Sequence, residues 1–245
     1  WLEEVEDASA SGTYDLISRI PHFSSAIREV INCIHGNSEI AFRPGKAYGN
    51  YLTDVSRWTA GFIIGREISS QEIDSTDAFH TGMTSYKGDQ YSINGASASE
   101  VFVTRMLDET ATYESKTYST GRPVSFSSWP TLDPLTHPTE TYTDEDKASF
   151  DIMKISGKDT KAGLFASYHA YPYYPNFISQ DPSYRMYNDM LGRNSYLGYL
   201  NDLKLHYSGI PLVIGEFGVP SSWGSAHQSY SNMHHGGYSE KQQGE

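Results

Sequence analysis

The ten residues PLVIGEFGVP, 211–220, decide how this chain is read. Pro211 to Ile214 form a short apolar run bounded by Pro and Gly, the pattern of a strand buried on both faces. Glu216 arrives where that strand should end. An unpaired buried charge is costly, so Glu216 either has a partner or stands at the mouth of a site. The pattern recurs upstream in WTAGFIIGREISS, 58–70, where the apolar run Gly61 to Ile64 again closes on a carboxylate, Glu67.

Two further runs have strand character: RPVSFSSW, 122–129, and AGLFASYHAYPYYP, 162–175. The segments between them carry helical periodicity. In SSAIREVINCIHG, 24–36, Ile27, Val30, Ile31 and Ile34 share one face, with Ser24 or Ser25 as N-cap and Gly36 as the stop. From Ser99 to about Lys116, Phe102, Val103, Met106, Leu107, Thr110 and Tyr113 line one face. Tyr196, Leu200, Leu203 and Tyr207 do so in SYLGYLNDLKLHY, 195–207. AFRPGKAYGNYLTDVS, 41–56, and PTLDPLTHPTETYTDED, 130–146, read as loops marked by Gly or Pro.

Strands at about 61–67, 122–128, 163–171 and 211–217 alternating with helices predict parallel βαβ units. Parallel strands open their C-terminal ends on one face, which carries the active site in a (β/α)8 barrel. Arg66 and Glu67, Ser127 to Trp129, His169 and Tyr171, and Glu216 lie at those ends. No Gly-rich phosphate loop follows any strand, since SGKDT, 156–160, lacks the first Gly of that motif.

The chain has 245 residues, 38% hydrophobic and 20% charged, enough for one α/β domain of barrel size. Its formal net charge of −12, with no basic stripe, excludes nucleic acid and anionic membrane surfaces as expected partners. No apolar run is long enough to span a membrane. The single cysteine, Cys33, excludes an internal disulfide framework and reads as a small buried side chain. The chain opens on Trp1 without an initiator Met and shows no signal peptide, so a shortened N-terminus is expected.

Nineteen tyrosines, many of them in SYHAYPYYPNF, 167–177, and YRMYNDM, 184–190, offer flat apolar faces with polar edges, which suit sugars. Trp129, Tyr168, Tyr171 and Tyr173 are the candidates to meet one. His227, His234 and His235 show no recognised metal spacing, and neither an HExxH helix nor a G-x-S-x-G elbow is present. No metal and no cofactor are expected. Asp133, His137 and Glu140 are expected either to wall the cleft or to fix a Pro-rich turn.

GFIIGREI, YHAYPYYP and PLVIGEFG resemble the fourth, sixth and seventh strands of the large clan of retaining (β/α)8 glycoside hydrolases. More narrowly, RPVSFSSWPTLDPLTHPTE with GEFGVPSSWGSAH and HHGGYSEKQQGE is similar to a group of bacterial glycoside-hydrolase-like proteins. The resemblance implies a partial TIM barrel of the α/β class, with about strands four to seven present and strands one to three and eight missing. Residues 1–245 would then be one fragmentary barrel domain, with Trp1 near the end of strand three. It implies Glu67 as acid/base and Glu216 as nucleophile acting on a β-linked oligo- or polysaccharide. Arg66, Trp129, Tyr168, His169, Tyr171, Tyr173 and Trp223 are the expected substrate contacts. An inactive carbohydrate-binding barrel descended from such enzymes is the alternative. An extracellular or cell-envelope location is slightly favoured over the cytoplasm.

Overall fold

A computed structural model describes residues 14–157, 160, 163–229 and 234–244; Trp1 lies outside them. By its internal contacts the chain divides into two compact units, one built from residues up to Arg66, Gln71–Phe126 and Ile152–Phe165, the other from Glu67–Ser70, Ser127–Asp151 and residues from Ala166 onward.

The first unit begins with helix α1 (Ile20–Ile34), which buries Phe23, Ile27 and Ile31. The helix starts a turn earlier than the serines at 24 and 25 suggest, because Pro21 occupies its first turn, where a missing N–H costs nothing. Ser24 instead lies inside and donates its hydroxyl to Glu109 Oε2 at 2.5 Å. Gly36 ends the helix at φ +68°, and a Cβ there would meet the Asp54 nitrogen at 2.6 Å. A hairpin of β1 (Ser38–Ile40) and β2 (Gly49–Tyr51) then occupies part of the expected 41–56 loop. After β3 (Phe62–Ile64) comes α2 (Ser70–Phe79), which has no clean apolar stripe in sequence and buries Glu72, Ile73 and Thr76.

Strands β4 (Ser85–Lys87) and β5 (Tyr91–Asn94) lead to α3 (Ala98–Tyr118), whose start is fixed by a capping box between Ser97 and Glu100. The Phe23 and Phe102 rings stack with centroids 6.1 Å apart, joining α1 to α3. Burying each such side chain stabilises the fold by about 1.5–3 kcal/mol. Buried Asp108 of α3 accepts from the Gln90 and Tyr91 backbone nitrogens and from the Tyr86 hydroxyl, tying the hairpin to the helix. Cys33 is a free, half-buried thiol, pushed up in pKa chiefly by burial.

After β6 (Val124–Ser128), β7 (Ser156–Gly157) adds an antiparallel strand to β5. The second unit continues through β8 (Ala166–His169), α4 (Phe177–Gln180), the hairpin of β9 (Asn188–Asp189) and β10 (Gly192–Arg193), α5 (Ser195–His206), β11 (Leu212–Glu216) and α6 (Glu240–Gly244). The fold is mixed α/β, and its main sheet has four parallel strands in the order β3-β6-β8-β11. The four expected strands are thus parallel and adjacent in chain order, though each is shorter than its apolar run.

The burial expected of the last strand is not found. Val213 is 41% exposed and no residue of β11 is fully buried, because β8 is its one strand partner among the described residues. In α5 the buried side chains include Tyr199 and Leu203, while Tyr196 and Leu200 are half-buried.

Candidate active site

The second unit gathers Glu67, His169, Tyr171 and Glu216 at the C-terminal ends of its strands. Glu67 stands three residues beyond β3 rather than on it. Gly65 makes the turn at φ +85°, where any Cβ would strike the Phe126 ring at 2.3 Å. Glu216 is the last residue of β11, where the register with β8 shifts, and its backbone carbonyl accepts from the Ala170 nitrogen at 2.9 Å.

His169 closes β8 and is 3% exposed, between two partly exposed carboxylates. Its Nδ1 lies 3.0 Å from Glu67 Oε1 and 3.4 Å from Glu216 Oε2. One oxygen of each glutamate and a ring nitrogen of His169 all fall within 4.8 Å of one another. That set has the donors to hold a cation, and equally the spacing to act on a bond lying between the carboxylates. Tyr171 donates its hydroxyl to Glu216 Oε2 at 2.7 Å. Burial first, then Glu216, pushes its pKa well above the ordinary tyrosine value, so it remains a donor through the neutral range. Tyr173 packs beside it, ring centroids 5.4 Å apart. Its pKa is raised to about 12, chiefly by burial and then by the charges of Glu67 and Glu216.

The four other expected contacts behave differently. Tyr168 is 1% exposed, and its hydroxyl shares a 2.8 Å hydrogen bond with the Tyr207 hydroxyl. It is a core residue, not a sugar platform, because alternation along β8 turns it away from the face that carries His169. Trp129 is half-buried; its indole N–H donates to the Ile68 carbonyl at 2.9 Å and its ring stacks on Tyr174 at 6.1 Å. Trp223 is fully exposed. Arg66 belongs to the first unit, where its Nη2 pairs with buried Glu72 at 2.6 Å.

The other titratable residues singled out in the sequence take structural roles. His137 Nε2 lies 3.0 Å from both oxygens of buried Asp133, Tyr199 donates to Asp133 at 2.8 Å, and the His137 ring stacks on Phe177 at 3.4 Å. Glu140 accepts from the Thr141, Tyr142 and Phe177 backbone nitrogens. These bonds hold Asp133 and His137 in the core, while Thr141 to Asp144 of the same loop stay exposed. His227, His234 and His235 pack against three different tyrosines, Tyr174, Tyr238 and Tyr173, and do not converge as a metal set.

Tyr174 was not among the sequence candidates. It holds the Trp129 ring and donates its hydroxyl to Glu145. Its position in the Tyr-rich YPYYP run was the available signal.

No protein-family model, curated protein or solved structure matches the chain.

Proposed function

We propose that this chain is a retaining glycoside hydrolase acting on a β-linked glycan, its four parallel strands standing as about strands four to seven of a (β/α)8 barrel. The observation that carries the reading is the close pair Glu67 and Glu216, which offer one oxygen each within 4.8 Å. A retaining pair stands about 5–5.5 Å apart, whereas an inverting pair needs roughly 6.5–9.5 Å to admit a water.

In the reaction, ionised Glu216 attacks the anomeric carbon as the bond to the leaving oxygen breaks, and Glu67 gives its proton to that oxygen. The product is a glycosyl ester on Glu216. Glu67, now a carboxylate, takes a proton from water; the resulting nucleophile attacks the same carbon and frees Glu216. The Tyr171 hydroxyl holds Oε2 of Glu216, leaving the other oxygen for attack. His169 Nδ1 stands between the two carboxylates, 3.0 Å from Glu67 and 3.4 Å from Glu216. The half-buried rings of Trp129 and Tyr171 and the largely buried ring of Tyr173 supply apolar faces for a sugar's C–H surface. The exposed edge of β11 supports a further strand beside it in the complete barrel.

A carbohydrate-binding barrel without turnover is the competing reading, favoured by the way His169 engages both carboxylates in the resting site. A 2-fluoro glycoside with a good leaving group separates the two. The enzyme acquires a glycosyl ester on Glu216, found by peptide mass analysis. A chain that binds the sugar yet never carries the adduct is a binding module.

A further inference from the structure

The second unit holds a cavity of about 850 Å³ whose wall includes Pro172 and Phe217, the residues that follow Tyr171 and Glu216 in the chain. That volume is within the range of small-ligand sites, roughly 300–1,000 Å³. Two arginines, Arg185 and Arg193, also line it.

Elsewhere Arg28, Arg43, Arg66 and Arg122 each pair with a glutamate, and Arg57 lies over the Trp58 ring. Neither pocket arginine has a carboxylate partner among the described residues. Arg185 uses only Nε, donating to the Ser179 carbonyl at 2.9 Å, and its two terminal nitrogens make no bond among the described residues. Arg193 makes no side-chain bond among those residues.

The one carboxylate in the wall among the described residues, Asp189, is already satisfied. It accepts from the Leu191 and Gly192 nitrogens at 2.8 and 3.2 Å and from Asn194 Nδ2 at 2.5 Å. The Asn194 bond and then the Leu191 nitrogen hold its carboxyl below the usual range, so it stays charged but spends its lone pairs on the β9–β10 turn. Phe217, 70% exposed, adds an apolar plane. Two guanidinium groups without carboxylate partners and an exposed ring, all lining one cavity, match the chemistry of a sugar bearing a planar or tetrahedral anion.

We propose that this cavity is a subsite for an acidic sugar unit, carrying a carboxylate or a sulfate ester, and therefore that the glycan is anionic. This rests on the glycosidase reading for its link to turnover; the binding itself does not.

The test is calorimetric titration of the full chain with a β-linked oligomannuronate, a sulfated galacto-oligosaccharide and a neutral cello-oligosaccharide. The Glu216→Gln variant is titrated alongside to prevent hydrolysis. One or both acidic ligands should bind about 10- to 100-fold tighter than the neutral one, the worth of one charge-assisted hydrogen bond. Whichever binds tighter identifies the anion as carboxylate or sulfate. Arg185→Gln with Arg193→Gln should erase the preference while the thermal midpoint stays within a few degrees of the parent's. Equal binding of acidic and neutral ligands overturns the proposal, as does a preference that survives the double variant. So does displacement of the oligosaccharide by an equal concentration of inorganic sulfate, which would mean an ion site rather than a sugar site. Preferential acidic binding without a 2-fluoro adduct retains the subsite and rejects the glycosidase. An adduct formed without any acidic preference does the reverse.

Discussion

Replacing Tyr171 by Phe removes one oxygen from the candidate site and tests how Glu216 is aimed. The hydroxyl lies 2.7 Å from Glu216 Oε2, and the ring keeps its neighbour Tyr173 at 5.4 Å with or without it. A hydrogen bond to a charged group contributes about 1.5–3 kcal/mol. If the bond is fully in force as Glu216 attacks, its loss lowers the rate by about 10- to 150-fold, at 1.36 kcal/mol per tenfold. The loss should fall on kcat with KM little changed, since the hydroxyl meets the nucleophile and not the sugar. Aryl glycosides of graded leaving-group ability give both constants, and a pre-steady-state burst shows which half of the reaction suffers. The phenol stays protonated through the neutral range, so the deficit should be constant between about pH 6 and 8. A variant with the parent's thermal midpoint and activity within twofold would refute the argument, because Glu216 would then be oriented without Tyr171.

Glu67→Ala should lose about 10²- to 10⁴-fold on substrates with poor leaving groups, less on activated ones, and azide should restore turnover with a glycosyl azide product of retained configuration; unchanged activity on ordinary glycosides excludes Glu67 as acid/base. Asp133→Ala strips His137 and Tyr199 of a shared buried acceptor and should cost about 3–5 kcal/mol in urea unfolding, while a loss below 1 kcal/mol would show that the cluster carries little of the fold. Tyr91, Tyr173 and Tyr196 have pKa values raised to about 12, chiefly by burial, against an ordinary 10. The unfolded chain therefore ionises first: their stabilisation is complete below pH 10 and is lost as the pH climbs from 10 to about 12. Tyrosinate absorbance should rise in two phases, the second together with loss of the helical circular dichroism signal. A single phase near 10 with the fold intact would contradict it.

The sequence by itself determined the α/β class and the parallel order of the four strands, because short apolar runs alternating with helical periodicity admit few other arrangements. It also marked Glu67, His169, Tyr171 and Glu216, as polar residues coming at or just after the ends of those runs. Only tertiary structure decided how those side chains are used. A period of two states that Tyr168 and His169 oppose one another, but which of them turns into the core depends on the Tyr207 hydroxyl being there to share a hydrogen bond with Tyr168. The apolar run of β11 reads as doubly buried, yet its exposure is set by how many strands lie beside it, a long-range fact that ten residues do not contain. The 130–146 loop reads as turn chemistry, and only the packed positions of Tyr199 and Phe177 turn Asp133 and His137 into core residues. Arg66 follows the same logic: adjacent to Glu67 in the chain, it is drawn to Glu72, because a buried carboxylate pays most for lacking a partner.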